Sequence, residues 1–283
     1  MGVTKGYYQF TELHKPQVGI TFYVDKVFID RDSKFQNIKI FSNKIYGKVM
    51  SLDNMIMLTQ KDEFCYHEML VHVPMFSHKN PQDVLIIGGG DGGTATQVLK
   101  HKSVRKVDMV EIDPDVVEAS KKHLKFLCQG FKDRRLNLIF TDGIKYVKKT
   151  TNKYDIILID STDPIGPAIG LFEAIFYKNC FFALKNDGML CTLSLSPFLD
   201  PQIVRKIYAN VKKVFKKAFL YWGVVPTYPG AFWSFTLGSK KYHPLKDLRA
   251  GDFRKNKLKT KYYNPEIHRS CFSLPAFVEK IIK

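Results

Sequence analysis

The sequence predicts a doubly wound α/β fold preceded by a small N-terminal antiparallel β domain. Three features lead there: apolar, β-branched runs alternating with helical segments, a glycine-rich turn directly after the first of those runs, and short strands with polar turns ahead of them. From Val18 to about Thr59 the short strands read as "GITFYVDKVFI", "FQNIKIF", "YGKVMSL" and "MIMLT", and Asp53-Asn54 has the left-handed tolerance that a tight hairpin turn needs. In "KDEFCYHEMLVHVPMF", Asp62 as N-cap and Pro74 near the far end predict a helix from about Asp62 to Val73, linking the sheet to the main domain. Strands follow at "DVLIIG", "KVDMVEID", "LNLIFTD" and "YDIILID", with helices between them, as a parallel sheet buried on both faces requires. Then come a helix near Leu171 to Leu184, a strand at "GMLCTLS", an amphipathic helix around Pro201 to Phe219, and strands at "FLYWGVVP" and "FWSFTLGS". A polar, mixed tail from Tyr242 ends in a helix near Leu274 to Ile282. The expected division is residues 1–60 for the β domain and 61–283 for the α/β domain.

Composition narrows the function classes. A chain of 283 residues with 45% hydrophobic content can bury a substantial core. Its apolar runs fall far short of the ~20 residues of a membrane helix, "MGVTKGYYQF" lacks the apolar centre of a signal peptide, and Gly6 stands where myristoylation requires Ser or Thr. Five scattered cysteines without CxxC indicate neither a disulfide framework nor a zinc site, so a soluble cytoplasmic protein is expected. The net charge of +17 invites a nucleic-acid reading. However, Val204, Ile207, Tyr208, Val211, Phe215 and Phe219 recur at spacings of three and four, leaving Lys212, Lys213, Lys216 and Lys217 largely on the opposite, solvated face. No RNA- or DNA-binding motif accompanies them, and a lysine-rich surface is the plainer account.

Ligands of doubly wound sheets bind at the carboxyl ends of the strands. Here Asp91 follows the first parallel strand, Glu111 and Asp113 end the second, Asp142 ends the third, and Asp160 ends the fourth with Asp163 three residues on. Any one alone reads as a helix cap or surface residue, but the fold gathers all of them into one crevice. Gly88, Gly90 and Gly93 satisfy GxGxxG, and Glu111 lies at the distance expected of a ribose-binding acid. A dinucleotide would place its pyrophosphate against Asp91, a repulsion of several kcal/mol at an effective dielectric near ~20. Asp91 therefore points to a nucleoside that carries a cation where phosphate would be, such as an adenosyl sulfonium, with Glu111 on the ribose and Asp142 with the Gly143 backbone at the adenine edge. Asp160 and Asp163 in "DSTDPIGP" imply a second cation, of which a polyamine is one. The stiff segment Pro164 to Pro167 reads either as a loop closing over the site or as a plain strand-to-helix connection. His67 and His72 are five apart, about 140° round a helix, which is not the one-face spacing of a zinc pair.

In this order, "KDEFCYHEML", "LIIGGGDGG", "VEIDPDVV", "TDG", "IDSTDPIGPA" and "PTYP" resemble the spermidine synthases, the polyamine aminopropyltransferases, from about Val18 to the C-terminus. The resemblance implies a Rossmann-like domain of the class I methyltransferase kind, a homodimer or homotetramer, and aminopropyl transfer from decarboxylated S-adenosylmethionine, as co-substrate without further cofactor or metal, to an amine, usually putrescine. It further implies that Gln36, Glu111, Asp142, Gly143 and Pro167 hold the methylthioadenosine portion. His67 and Asp91 would contact the aminopropyl and polyamine part. By the same resemblance Asp160 is the proton acceptor, Asp163 a polyamine-binding carboxylate, and Tyr66 and Tyr228 line the amine channel. Leu193 and Leu195 depart from the pattern, standing where relatives often carry Gln, Glu or Asp beside that channel; agmatine, cadaverine or a triamine are the alternative acceptors. A methyltransferase using intact S-adenosylmethionine and a basic nucleic-acid-binding protein are the rival readings.

Overall fold

Two small antiparallel sheets open the chain. In the first, β1 (Val3–Thr4), β2 (Tyr7–Lys15) and β3 (Val18–Val24) pair in order. The second consists of β4 (Lys26–Asp32), β5 (Asn37–Asn43), β6 (Gly47–Leu52) and β7 (Met55–Thr59). The computed structural model describes residues 3–4, 7–164 and 166–283, and the backbone alone at 3, 4, 7 and 167. The stretch read as one strand, "GITFYVDKVFI", breaks at Asp25 and its halves join different sheets. Strand β2 escaped the sequence reading because its pattern is inverted: Phe10 and Glu12 face inward while Leu13 is 66% exposed. Phe10 and Phe22 pack on Phe41, which ties the two sheets together. Asp53 and Asn54 take φ of 48° and 62°, the left-handed turn expected of them.

Helix α1 (Glu63–Ser77) runs one turn past the predicted end. Pro74 costs it a single donor, and the next turn closes through His78 N donating to Pro74 O (3.1 Å) and Ser77 Oγ to Val73 O (2.7 Å). Asp62 occupies the N-cap position without capping. Its carboxylate accepts instead from Thr59 Oγ1 (2.6 Å) and from Thr227 N and Oγ1 (2.9 and 2.7 Å).

The main domain alternates β8 (Asp83–Gly88), α2 (Gly93–Leu99), β9 (Lys106–Glu111), α3 (Pro114–His123), β10 (Leu136–Phe140), α4 (Gly143–Lys148), β11 (Tyr154–Asp160), α5 (Ala174–Ala183), β12 (Leu184–Leu195) and α6 (Pro201–Val214), closing with β13 (Lys217–Val224) and β14 (Phe232–Ser239). These seven strands form one sheet in the order β10-β9-β8-β11-β12-β14-β13; the first five are parallel, and β14 pairs antiparallel with both β12 and β13. Chain order reverses between β8 and β11, the switch point at which open sheets place their ligands. Val84 to Ile87 and Ile156 to Ile159 are almost wholly buried there and form the centre of the core.

Three boundaries move. Helix α6 stops at Val214, so Phe219 belongs to β13, whose pairing with β14 starts at Lys217↔Ser239. The helix expected from Leu171 divides into a tight turn, Gly166–Phe172, and α5. The polar tail contains two short helices, α7 (Ala250–Asn256) and α8 (Pro265–Ser270), before α9 (Ala276–Ile282). All five cysteines are buried and unpaired, and no helix among the described residues is long and apolar enough to cross a membrane.

Candidate active site

At the switch point the turn after β8 must come very close to the end of β11. The pair Gly88↔Asp160 is in register, and Gly88, at φ 83°, would put a Cβ 2.1 Å from the Asp160 carbonyl oxygen. Only glycine meets both demands. Gly93, opening α2, faces His67 equally closely, since a Cβ there would lie 2.4 Å from the imidazole.

A cavity of about 160 Å³ occupies this crevice. Among the residues expected at a site, Gln36, Tyr66, His67, Asp91, Glu111, Asp142, Gly143, Asp160 and Tyr228 line it. Asp163 lines a smaller cavity of about 30 Å³ that shares Tyr66, Ser161, Thr162 and Tyr228 with the first. The side chain of Pro167 lies outside the described residues; its backbone is part of the tight turn after β11. Leu193 lines the smaller cavity but Leu195 lines neither, a correction to the expectation that both form the channel wall. The β12 register shifts between Leu193 and Leu195, and Leu195 adopts φ 64°, so the strand no longer presents the second leucine to the site.

The electrostatics centre on Asp91. Its Oδ1 accepts from Gly93 N (2.6 Å) and lies 3.4 Å from His67 Nε2, while His67 Nδ1 is 2.8 Å from Glu63 Oε2. Burial disfavours the imidazolium, yet Asp91 and Glu63 together raise the His67 pKa well above its ordinary value. Burial likewise opposes the Asp91 carboxylate, but His67 and the Gly93 amide hold its pKa below the usual range. His67 thus sits between the two carboxylates, one ring nitrogen towards Asp91 and the other towards Glu63. Glu63, one helical turn before His67, is a functional neighbour that the i,i+4 spacing could have revealed.

Asp160 completes the group: single donor atoms of His67, Asp91 and Asp160 all lie within 4.8 Å of one another. Burial first, and the Asp91 charge second, push the Asp160 carboxyl up to about 6, with Thr94 and Tyr66 hydroxyls pulling the other way. Its Oδ2 is buried and makes no hydrogen bond. An unsatisfied buried carboxylate oxygen beside a second carboxylate is built to receive a proton or a cation.

At the other end of the larger cavity's lining, burial raises Glu111 to about 7, the Asp113 backbone N–H holding its Oε1 at 2.9 Å. Gln36 donates to Asp113 Oδ2 (3.0 Å), which also accepts from Ser33 Oγ (2.6 Å); Ser33 and Asp113 thereby fix Gln36 at the cavity, a support the spacing of single residues did not reveal. Asp142 both lines the cavity and caps α4, accepting from Ile144 N at 2.8 Å. Where the two cavities meet, the Tyr66 and Tyr228 rings are 5.7 Å apart, and the Tyr228 hydroxyl is held by Met57 O at 2.5 Å. Thr227, bound to Asp62, sets that loop against the start of α1.

Glu12 is the residue that sequence reasoning missed. It comes from β2 and is 4% exposed. Its Oε2 accepts from Ile56 N (2.9 Å), and, like Asp163, Glu12 lines the smaller cavity. Burial raises Glu12 to about 7 and Asp163 to about 6. Two carboxyl groups buried beside one cavity raise each other's affinity for a proton or a cation. A second cluster, His78 with Asp155 and Asp187, lies outside the crevice. There His78 Nδ1 accepts from Asn80 N at 3.2 Å, and Lys185 Nζ donates to Asp155 Oδ2 at 3.1 Å.

Comparison with known proteins gives a consistent picture. Residues 63–248 match the spermine/spermidine synthase domain, and residues 8–60 the spermidine synthase tetramerisation domain. The polyamine aminopropyltransferase of Caldicellulosiruptor saccharolyticus is 45% identical over 274 residues, covering 97% of this chain and 98% of that protein. That of Methanocaldococcus jannaschii is also 45% identical, over 278 residues, covering 97% and 94%. A crystal structure of spermidine synthase in complex with the transition state analogue AdoDATO superposes with a TM-score of 0.96 at 44% identity, covering 97% of this chain and 94% of that one. The spermidine synthase of Thermotoga maritima superposes with 0.93 at 42% identity, with the same coverage.

Proposed function

The chain belongs to the spermine/spermidine synthase family and is a polyamine aminopropyltransferase, and from that premise we propose that it moves the aminopropyl group of decarboxylated S-adenosylmethionine onto putrescine, giving spermidine and methylthioadenosine. The observation that carries this reading is Asp91: a clamped carboxylate where a dinucleotide's phosphate would lie. A cationic aminopropyl tail suits it, whereas the carboxylate of intact S-adenosylmethionine would be repelled. Glu111, Gln36, Asp142 and Gly143 would hold the methylthioadenosine portion, and Pro167 the edge of the closing turn.

The chemistry is a displacement at the carbon next to a sulfonium. The attacking amine, with a solution pKa near ~10.4, is almost wholly protonated at neutral pH, and freeing its lone pair costs roughly 4 to 5 kcal/mol. Asp160, with an unpartnered buried oxygen and a pKa of about 6, is the proton acceptor, and Tyr66 orients the nitrogen towards it. The nitrogen then attacks the carbon, and the carbon–sulfur bond breaks with its electron pair going to sulfur. Asp163 and Glu12 anchor the far ammonium, while Leu193 gives the methylene chain an apolar wall. We also read residues 1–60 as an oligomerisation domain, residues 61–283 as the catalytic domain, and the assembly as a cytoplasmic homotetramer in preference to a homodimer.

The direct test is methylthioadenosine release from decarboxylated S-adenosylmethionine with putrescine, cadaverine, agmatine and spermidine in parallel, and intact S-adenosylmethionine as control donor. Release with putrescine preferred is the expected result. Preference for cadaverine or agmatine would reassign the acceptor, and turnover of the control donor alone would overturn the donor.

A further inference from the structure

Asp62 stands at the head of α1, where a helix cap is expected, yet its carboxylate makes no bond to the helix. An N-cap side chain ordinarily accepts from the free amides of the first turn. Here both oxygens serve other elements. Oδ1 accepts from Thr59 Oγ1 at the end of β7 (2.6 Å), and Oδ2 from the amide and the hydroxyl of Thr227 (2.9 and 2.7 Å), in the connection between β13 and β14. Asp62, Thr59 and Thr227 are all buried, so little solvent competes for these bonds.

The connection, residues 225–231, is closed at its own base. Val225 N donates to Ala231 O (2.8 Å), Tyr228 N to Val225 O (3.0 Å) and Ala231 N to Tyr228 O (2.8 Å), with Gly230 and Ala231 at φ of 77° and 52°. Pro226 and Pro229, on either side of Thr227 and Tyr228, stiffen it further. It is tied to the rest of the site at two neighbouring residues: Thr227 on Asp62, and Tyr228, whose hydroxyl donates to Met57 O, two residues before Thr59 in β7. A ring thus runs from Asp62 to Thr59, along β7 to Met57, across to Tyr228 and back through Thr227. Tyr66, one helical turn after Asp62, lies with its ring 5.7 Å from that of Tyr228. Both tyrosines line both cavities, whereas Asp62, Thr59 and Thr227 line neither.

We propose that Asp62 is a positioning residue of the acceptor site: by holding Thr227 it sets Tyr228 against Tyr66 and so fixes the passage across which the diamine stretches from Asp163 to Asp160. The inference rests on the aminopropyltransferase reading and adds to it a residue that acts on the acceptor and not on the donor. Gln36, Glu111, Asp142 and Gly143, assigned to the methylthioadenosine portion, come from the turn between β4 and β5, the end of β9 and the start of α4, and none belongs to the ring. A group misplaced by about 1 Å through a remote change can cost up to about 10² in rate. A passage wall that is loosened but still present costs less, and the loss falls on the substrate that the wall holds.

The test measures KM for putrescine and for decarboxylated S-adenosylmethionine, each at saturation with the other, in the full-length wild type, Asp62→Asn, Thr227→Val, the double variant and Thr227→Ser. Asn turns an amide N–H towards donors, and Val keeps the shape of Thr without its hydroxyl. Asp62→Asn should raise the putrescine KM about tenfold and Thr227→Val about fivefold, with the donor KM within about twofold of wild type. The double variant should be no worse than Asp62→Asn, because both changes break one tie. Thr227→Ser, which can make both bonds, should keep the wild-type values. Equal changes in the two KM values, a putrescine KM within about twofold of wild type in Thr227→Val, or a Thr227→Ser enzyme that behaves like Thr227→Val overturns the positioning role and leaves the transferase reading standing. If Asp62→Asn does not fold, the two Thr227 variants decide the matter. A wild type that transfers to no amine overturns that reading and the inference with it.

Discussion

At the scale of single residues the site is a set of carboxylates whose environments separate their duties. Asp91 is kept ionised by His67, whereas Asp160, a few ångströms away, is pushed up to about 6 by burial and by Asp91 itself. Replacing Asp160 by Asn should lower kcat by about 10² to 10⁴, the usual range for loss of a positioned base. The sign of the accompanying pH effect is fixed. The base must be deprotonated to work, so wild-type kcat should fall as pH drops through about 6, and the variant should lose that limb of the profile. Asp91→Asn should raise KM for the decarboxylated donor by about tenfold and relax rejection of intact S-adenosylmethionine, read from competition between the two donors. A variant that kept the full discrimination would remove Asp91 from donor selection.

Among the elements, α1 and α2 are held at a distance that only Gly93 permits. A Gly93→Ala methyl would meet the His67 ring at 2.4 Å; the expected result is destabilisation of about 1–3 kcal/mol in denaturant melts, together with lost activity as His67 leaves Asp91. Helix α1 also contributes one of a buried histidine pair: His72 Nδ1 is 2.9 Å from Nε2 of His101, two residues past the end of α2, with Gln97 of α2 on the other side of His72 at 3.2 Å. Burial, and next the neighbouring cations, lower His101 to about 3. The unfolded chain therefore binds a proton that the folded chain refuses between about pH 6.5 and 3, and stability falls with acid across that window. In His101→Gln the dependence of stability on pH should be shallower there, by up to about 1.4 kcal/mol per pH unit, measured by denaturant titration at several pH values. The parallel strands and their turn were legible because apolar runs of that length ending in glycine or acid have few other uses. Strand β2 was not, because its inward positions alternate Phe10 with a glutamate; nor was the end of α6, where Phe219 kept the helical spacing by coincidence while its hydrogen bonds went to β14.

For the whole molecule, the site draws on segments remote in sequence: Glu12, Gln36, the α1 pair Tyr66 and His67, the ends of β8 to β11, and Tyr228. The strand-end acids could be read from the sequence because topology alone brings them together. Glu12 could not be placed in that way, since its position depends on how the N-terminal hairpin docks, whereas Glu63 only needed its i,i+4 spacing to His67 to be read. Binding of putrescine should raise the melting temperature more at pH 8 than at pH 5, because Glu12 and Asp163, raised to about 7 and about 6, are carboxylates only at the higher pH; an equal shift at both would argue against them as the ammonium anchor. The net charge of +17 surrounds this acidic crevice with a lysine-rich exterior. A polycation diffusing towards it climbs a repulsive field before it meets an attractive one, the reverse of ordinary electrostatic steering. Added salt should therefore quicken the encounter, shortening the Debye length from about 30 Å at 10 mM to about 10 Å at 100 mM while leaving the enclosed carboxylates little screened. On the proposed reaction, the lysine coat acts as a kinetic barrier to a polycationic acceptor, one that ionic strength lowers.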